Sequence, residues 1–107
     1  MTKLRFEWND TKAQSNLRKH GVSFATAARI FLDPDILTKL DRIVDYEERW
    51  QTLGRVDDHL MLLVAHTTWE EDDHGEFIEV IRIISARPAE KHERREYDIA
   101  RVQNRQI

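Results

Sequence analysis

Apolar and charged residues alternate from Leu4 to Trp8 (Leu-Arg-Phe-Glu-Trp), which predicts a short strand with one buried face. Asn9 and Asp10 then supply good helix N-caps, and Thr11 to His20 reads as a helix. His20-Gly21 stops it, because glycine tolerates the left-handed backbone on which helices often end. Ser23 caps a second helix, with Val22 and Ala27 placed as a hydrophobic staple. Phe24, Ala27, Ala28 and Phe31 give that helix an apolar face, and Asp33-Pro34 ends it.

Ile36 to Leu40 predicts a strand, and the polar stretch Asp41 to Glu48 a loop. Trp50 to Val56 and Leu60 to Trp69 flank the compact turn Asp57-Asp58-His59, so they predict a hairpin. Its second arm is apolar on both faces from Leu60 to Ala65, the mark of a central strand. Glu70 to Gly75 reads as an acidic connection, Phe77 to Arg87 as the last strand and Ala89 to Val102 as the last helix. The order β-α-α-β-β-β-β-α predicts an α+β fold: two N-terminal helices, a mostly antiparallel sheet of four to five strands and a C-terminal helix. With 107 residues, the expectation is a single domain over 1–107.

Composition narrows the chemistry. Cysteine is absent, which excludes disulfides, thiol chemistry and cysteine-ligated zinc. No run of 18 apolar residues exists, and Met1-Thr2-Lys3-Leu4-Arg5 has no apolar stretch behind it. The expectation is a cytoplasmic protein without a membrane partner. The net charge of −3 argues against nucleic acid at face value, yet the charges are segregated. Between Val56 and Ile81 there are eight acids and no Lys or Arg; the rest carries 17 basic residues against 12 acids. That pattern is either a solvated acidic loop or the mark of a molecule with one basic side.

The basic residues suggest where an anion would bind. Ile81 to Arg87 is an apolar strand carrying Arg82 and Arg87, followed by a charged helix with Tyr97. Arginine on such a strand needs a partner, and phosphate is the obvious ligand. Arg82 and Arg87 are an odd number of residues apart, so on a regular strand they point to opposite faces. They share one site only if a bulge or the strand's end redirects Arg87; otherwise one of them pairs with an acid. Arg55 follows Gly54, where a ligand can approach the backbone, with Arg49 a weaker companion. His66 offers proton transfer, or else is a buried imidazole bonded to a neighbour. Tyr97, three residues after Arg94, either contacts a phosphate or a base or faces the core. Lys12, Asn16 and His20 form one helical stripe beside Lys19, which is either substrate-binding or simply solvated. His66, Glu70, Asp72 and His74 fix no coordination geometry, so no metal is expected. Trp8, Trp50 and Trp69 read as core or partner anchors.

Three blocks carry a family resemblance. They are Phe6-Glu7-Trp8-Asn9 through Lys12 and Asn16 to Phe24, then Glu47 to Arg55, then Arg82 to Arg87 followed by Glu93-Arg94-Arg95-Glu96-Tyr97. In this order they resemble the BrnT toxins of bacterial type II toxin–antitoxin systems, whose fold is similar to that of the RelE and ParE toxins. The acidic connection, taken over Glu70 to Glu79, is longer and more acidic than the resemblance leads one to expect.

The resemblance implies a ribonuclease that slows translation and is held inactive by a BrnA-like antitoxin with a ribbon-helix-helix part. It implies contact with operator DNA only through that antitoxin, and a dimer or heterotetramer with it. RNA cleavage without metal or cofactor needs a base, cations for the phosphate charge and an acid for the leaving oxygen. The expected roles are His66 or Lys19 as base, Arg55, Arg82 and Arg87 as charge stabilisers, and Tyr97 for positioning. Lys12, Asn16, His20, Arg49 and Arg94 are the expected substrate contacts. Two other readings stand beside this one: a non-catalytic module in a DNA-bound repressor complex, and a ParE-like inhibitor that binds gyrase.

Overall fold

The computed structural model describes residues 3–105. Strand β1 (Lys3–Glu7) leads into helix α1 (Asp10–His20) and the short helix α2 (Phe24–Ala28), which tightens into a 3-10 turn at Arg29–Leu32. Four strands follow: β2 (Leu37–Val44), β3 (Glu47–Val56), β4 (Leu60–Asp73) and β5 (Glu76–Pro88). Helix α3 (Lys91–Arg105) comes last. The sheet order is β1-β5-β4-β3-β2. Only β1 on β5 is parallel; the other three pairings are antiparallel hairpins. The α+β class, the order of elements and the mostly antiparallel sheet are as the pattern predicts.

The caps explain the helix starts. Asn9 accepts from the Lys12 N–H, Ser23 accepts from the Thr26 N–H, and Gly21 closes α1 at φ 71°. At the start of α3, the Glu93 carboxylate accepts from the Glu90 N–H, the reciprocal half of a capping box, and the Glu90 carbonyl accepts the first helical bond from the Arg94 N–H.

Two stretches read as loops are strands. Asp41–Glu48 belongs to the β2–β3 hairpin, which turns at Asp45 and Tyr46, both with positive φ. The acidic stretch extends the β4–β5 hairpin to a turn at His74-Gly75, again with positive φ at both residues. Neither shows apolar alternation, because no helix among the described residues covers either face there and polar side chains are tolerated on both. Cross-strand hydrogen bonding through a tight turn, not burial, makes them strands.

Each face of the sheet buries its own cluster. Phe24, Ala27 and Ile30 pack on Leu62, Val64, Ile81 and Ile83 on one face, with Val22, Val56 and Ala86. On the other face Tyr97 and Ala89 pack on Leu53, Met61 and Leu63. Gly54 makes the first packing possible: a Cβ there would lie 2.8 Å from Ile30 Cβ and 3.2 Å from its carbonyl oxygen. The space beside this glycine is therefore occupied by the chain itself rather than open to a ligand.

Candidate active site on the open sheet face

Helix α3 covers only one end of its face. It is tied there by Arg87 to Glu93, by Lys39 to Glu96 and by Arg55 to Asp98. Beyond these contacts, no helix among the described residues overlies that face, and the strands present it directly.

A bulge decides which side chains stand on it. Ala65 pairs with Ser85 but His66 pairs with Ile83, so Ile84 is an extra residue on β5. Arg87 lies opposite Leu63 and Arg82 opposite Thr67, four residues apart on β4 and therefore on one face. The odd spacing is cancelled, and both arginines share the α3 side. On β2 the register also slips, at Asp41, which sets Arg42 opposite Arg49. Arg49 and Thr67 each lie one step past the last β3–β4 pair, Trp50 with His66. On β1, Glu7 lies beside Arg82. One row across the sheet thus reads Arg42, Arg49, Thr67, Arg82, Glu7.

This row is under-satisfied. Arg49 Nε and Thr67 Oγ1 are buried and lack a hydrogen-bond partner among the described residues. Arg82 is exposed and makes no ion pair among them. Arg49 reaches Glu47 at 3.2 Å, and Arg42 reaches Asp41 at 3.6 Å. Like charges opposite one another destabilise a ladder, and a buried polar atom left unpaired costs roughly 1–3 kcal/mol. An anion lying along the row would relieve both. Just past the row the two hairpins part, and a cleft of about 550 Å³ opens between Tyr46, Glu47, Glu48, Trp50, Thr68 and Trp69.

Nearer α3, Asp33 is a hub. It accepts from the Tyr97 hydroxyl at 2.6 Å, the Arg55 N–H at 2.8 Å and the Asp35 N–H at 2.9 Å. Burial pushes the Asp33 carboxyl up, but those bonds outweigh it and hold the group below the usual carboxylate range. Burial, then the bond to Asp33, pushes the Tyr97 hydroxyl above its ordinary value. Tyr97 is a core-facing helical tyrosine, 1% exposed, and the Arg55 guanidinium stands 5.4 Å from its ring centroid. Arg94 lines a small cavity with Arg55, His59 and Asp98. Arg87 is held by both Glu93 oxygens at 2.8 Å. Those bonds hold the Glu93 carboxyl below its ordinary range against its burial.

The other sequence candidates lie behind the sheet. Lys12 and Lys19 are exposed on α1, and His20 is half-buried at its end. Asn16 is buried, and its carboxamide bonds both the N–H and the C=O of Ala86, with a third bond to the Val22 carbonyl. β1 pairs with β5 only as far as Arg82, so Asn16 substitutes for a missing strand at that edge. His66 is 3% exposed, edge-on to Phe31 at 5.3 Å and 2.7 Å from the Thr52 hydroxyl. Burial pushes its imidazole below the ordinary value. The candidates therefore separate: Arg49, Arg55, Arg82, Arg87, Arg94 and Tyr97 come together on the α3 side, while Lys12, Asn16, Lys19, His20 and His66 do not join them.

Sequence reasoning missed Asp33, Arg42, Thr67 and Glu7. Arg42 lies in a stretch that reads as a loop, and Asp33 reads as a helix stop. Thr67 carries no signal until the register is known, and Glu7, though part of the first resemblance block, has no mark of a site residue until the register sets it beside Arg82.

A family model described as the ribonuclease toxin BrnT of type II toxin–antitoxin systems matches residues 8–93. No curated protein matches the chain. Among solved structures, the chain is similar to the crystal structure of the Brucella abortus ribonuclease toxin BrnT. That match has 23% identity and a TM-score of 0.54, and covers 84% of this chain and 100% of that one. At this identity the likeness speaks for the fold.

Proposed function

This chain belongs to the BrnT family of ribonuclease toxins of type II toxin–antitoxin systems, and from that premise we propose that it cleaves RNA on the arginine row without a metal ion. The observation that carries the reading is the row itself: cations set side by side, with Arg49 Nε and Thr67 Oγ1 unpartnered and Arg82 free of any carboxylate among the described residues.

The substrate's 2′-OH attacks the neighbouring phosphorus, the new O–P bond forms, and the P–O5′ bond breaks. A 2′,3′-cyclic phosphate and a 5′-OH result. The attack is internal to the substrate, so holding it in line and stabilising the growing negative charge supply most of the rate. Arg49 and Arg82 stabilise the phosphate oxygens, and Arg42 holds a neighbouring phosphate. Arg55, steadied by Tyr97, and Arg94 extend the basic track toward α3. Arg87 acts through Glu93, positioning α3. His66 and Asn16 serve the fold in this reading, because one is sealed under Phe31 and the other is used up on Ala86. Lys12, Lys19 and His20 take no part in bond breaking, since the sheet separates them from the row.

The reading extends to a cytoplasmic single-domain toxin neutralised by a BrnA-like ribbon-helix-helix antitoxin, in a heterotetramer that meets operator DNA through the antitoxin.

The test is cleavage of a defined single-stranded RNA by the purified, antitoxin-free protein in EDTA, with the product ends mapped. Cyclic-phosphate or 3′-phosphate ends are expected. Arg82→Ala and Arg49→Ala should each lose about 10²–10³-fold in rate with an unchanged melting curve, as when one oxyanion donor is removed. Loss of cleavage in EDTA, or full cleavage by folded Arg82→Ala, overturns the proposal.

A further inference from the structure

We propose that Glu7 is the general base of this reaction, taking the 2′-OH proton beside Arg82; the inference rests on the arginine-row reading above. The row itself lacks a base. Guanidinium groups stabilise charge but stay protonated and cannot accept a proton. A base must stand on the same face, within hydrogen-bond reach of a hydroxyl whose phosphate the row holds.

The acceptors on this face are few, and most are committed. Glu93 is gripped at both oxygens by Arg87, and Glu96 pairs with Lys39. Asp33 accepts three hydrogen bonds. Glu71 accepts from Arg5 at 2.6 Å and from the Trp69 indole at 3.1 Å. Tyr97 donates its hydroxyl hydrogen bond to Asp33, and the imidazole of His66 is buried on the opposite face. Glu47 is closed onto Arg49 at 3.2 Å.

Glu7 is 44% exposed, about as open to solvent as Glu71, Glu96 and Glu47, and differs from them on two counts. Its ion pair among the described residues is a long one, 3.4 Å from Arg5, and that arginine is already held more closely by Glu71. It is also the ladder neighbour of Arg82. Neighbouring strands lie about 4.8 Å apart, yet carboxylate and guanidinium do not close into a pair. A nucleotide entering between them would place its phosphate on Arg82 and its ribose hydroxyl on Glu7. The proton passes from O2′ to a Glu7 oxygen as O2′ bonds phosphorus; the departing O5′ takes a proton from water. Glu7 then returns its proton to solvent.

Glu7→Gln keeps the shape and removes the base. Single-turnover rates would be read on RNA and on a uridine 3′-phosphate ester of nitrophenol, which needs no acid for its leaving group. Binding of an RNA with a 2′-deoxyribose at the cleavage site and the melting curve would be followed in parallel. Both rates should fall about 10²–10⁴-fold, the usual contribution of a positioned base, with binding and melting unchanged. Glu7→Asp, which restores a carboxylate, should recover part of the rate. Wild-type rates in Glu7→Gln with Arg82→Ala still inactive would remove Glu7 and leave the arginine row standing. Loss on RNA but a full rate on the ester would make Glu7 an acid and overturn its role as base. Loss in Glu47→Gln instead would move the base to β3. Equal rates for wild type and Arg82→Ala would fail the underlying reading itself.

Discussion

His66 shows what a single residue's surroundings decide. On sequence it offers an imidazole at the end of an apolar strand, suited to proton transfer or to burial. In the fold it closes a hydroxyl relay across three strands: Thr38 and Thr52 lie 2.8 Å apart, and Thr52 and His66 2.7 Å. Its proton is a stability device. Burial depresses the imidazole below its ordinary value of 6.5 in the folded state, so below that pH the unfolded chain binds a proton that the folded chain resists. Stability is full above the unfolded value and falls as pH drops toward the folded one, at about 1.4 kcal/mol for each unit of depression. Urea midpoints from about pH 8 to 5 should decline in the wild type. The decline should flatten in His66→Gln, which keeps a hydrogen-bonding head and does not titrate. An identical slope in both would mean that His66 does not carry it.

At the scale of elements, β5 and α3 depend on each other. The extra residue at Ile84 turns Arg87 to the face where Glu93 waits, and Glu93 also caps α3. One carboxylate therefore anchors a strand and starts a helix. Its side chain is only 11% exposed, and Arg87's is 32%, so solvent screens the pair in part. Glu93→Ala should cost about 2 kcal/mol in chemical denaturation, near the value of hydrogen bonds to a charged group. Arg87→Lys should fall between it and the wild type, because an ammonium keeps the charge and loses the two-pronged fork. A change below about 0.5 kcal/mol for Glu93→Ala would show that α3 docks through Tyr97 and its apolar neighbours alone.

The whole molecule separates its charges as the sequence does, but along the sheet rather than into a loop. Acids Glu70 to Asp73 and Glu76 occupy the far end of the β4–β5 hairpin, past the point where β3 stops pairing with β4. Charges on an unpaired strand edge discourage other chains from adding there. The arginine row lies between this acidic finger and α3, so on the proposed reading an RNA strand is held on one side and repelled at the tip. Affinity for an uncleavable single strand should fall with salt, by a slope of about 0.7 for each phosphate contacted. Arg42→Ala and Arg49→Ala should each shallow that slope by about this amount. A slope indifferent to both would exclude the row as the RNA track.

Local chemistry made much of this protein legible in the chain alone. Asn9, Ser23 and Gly21 mark the helix ends, and the doubly apolar Leu60 to Ala65 marks the central strand, because caps and burial act on neighbours in sequence. The arginines on β5 drew attention for the same reason. Which of them share a site was beyond any local rule. One extra residue at Ile84 and another at Asp41 reversed the faces that regular alternation implies, and a strand slipped by one residue exchanges every side chain it presents. Long-range pairing alone set Glu7 beside Arg82, took Asn16 to Ala86 and sealed His66 away from the row. Those contacts join residues distant in sequence, whose proximity is settled by the register of the sheet.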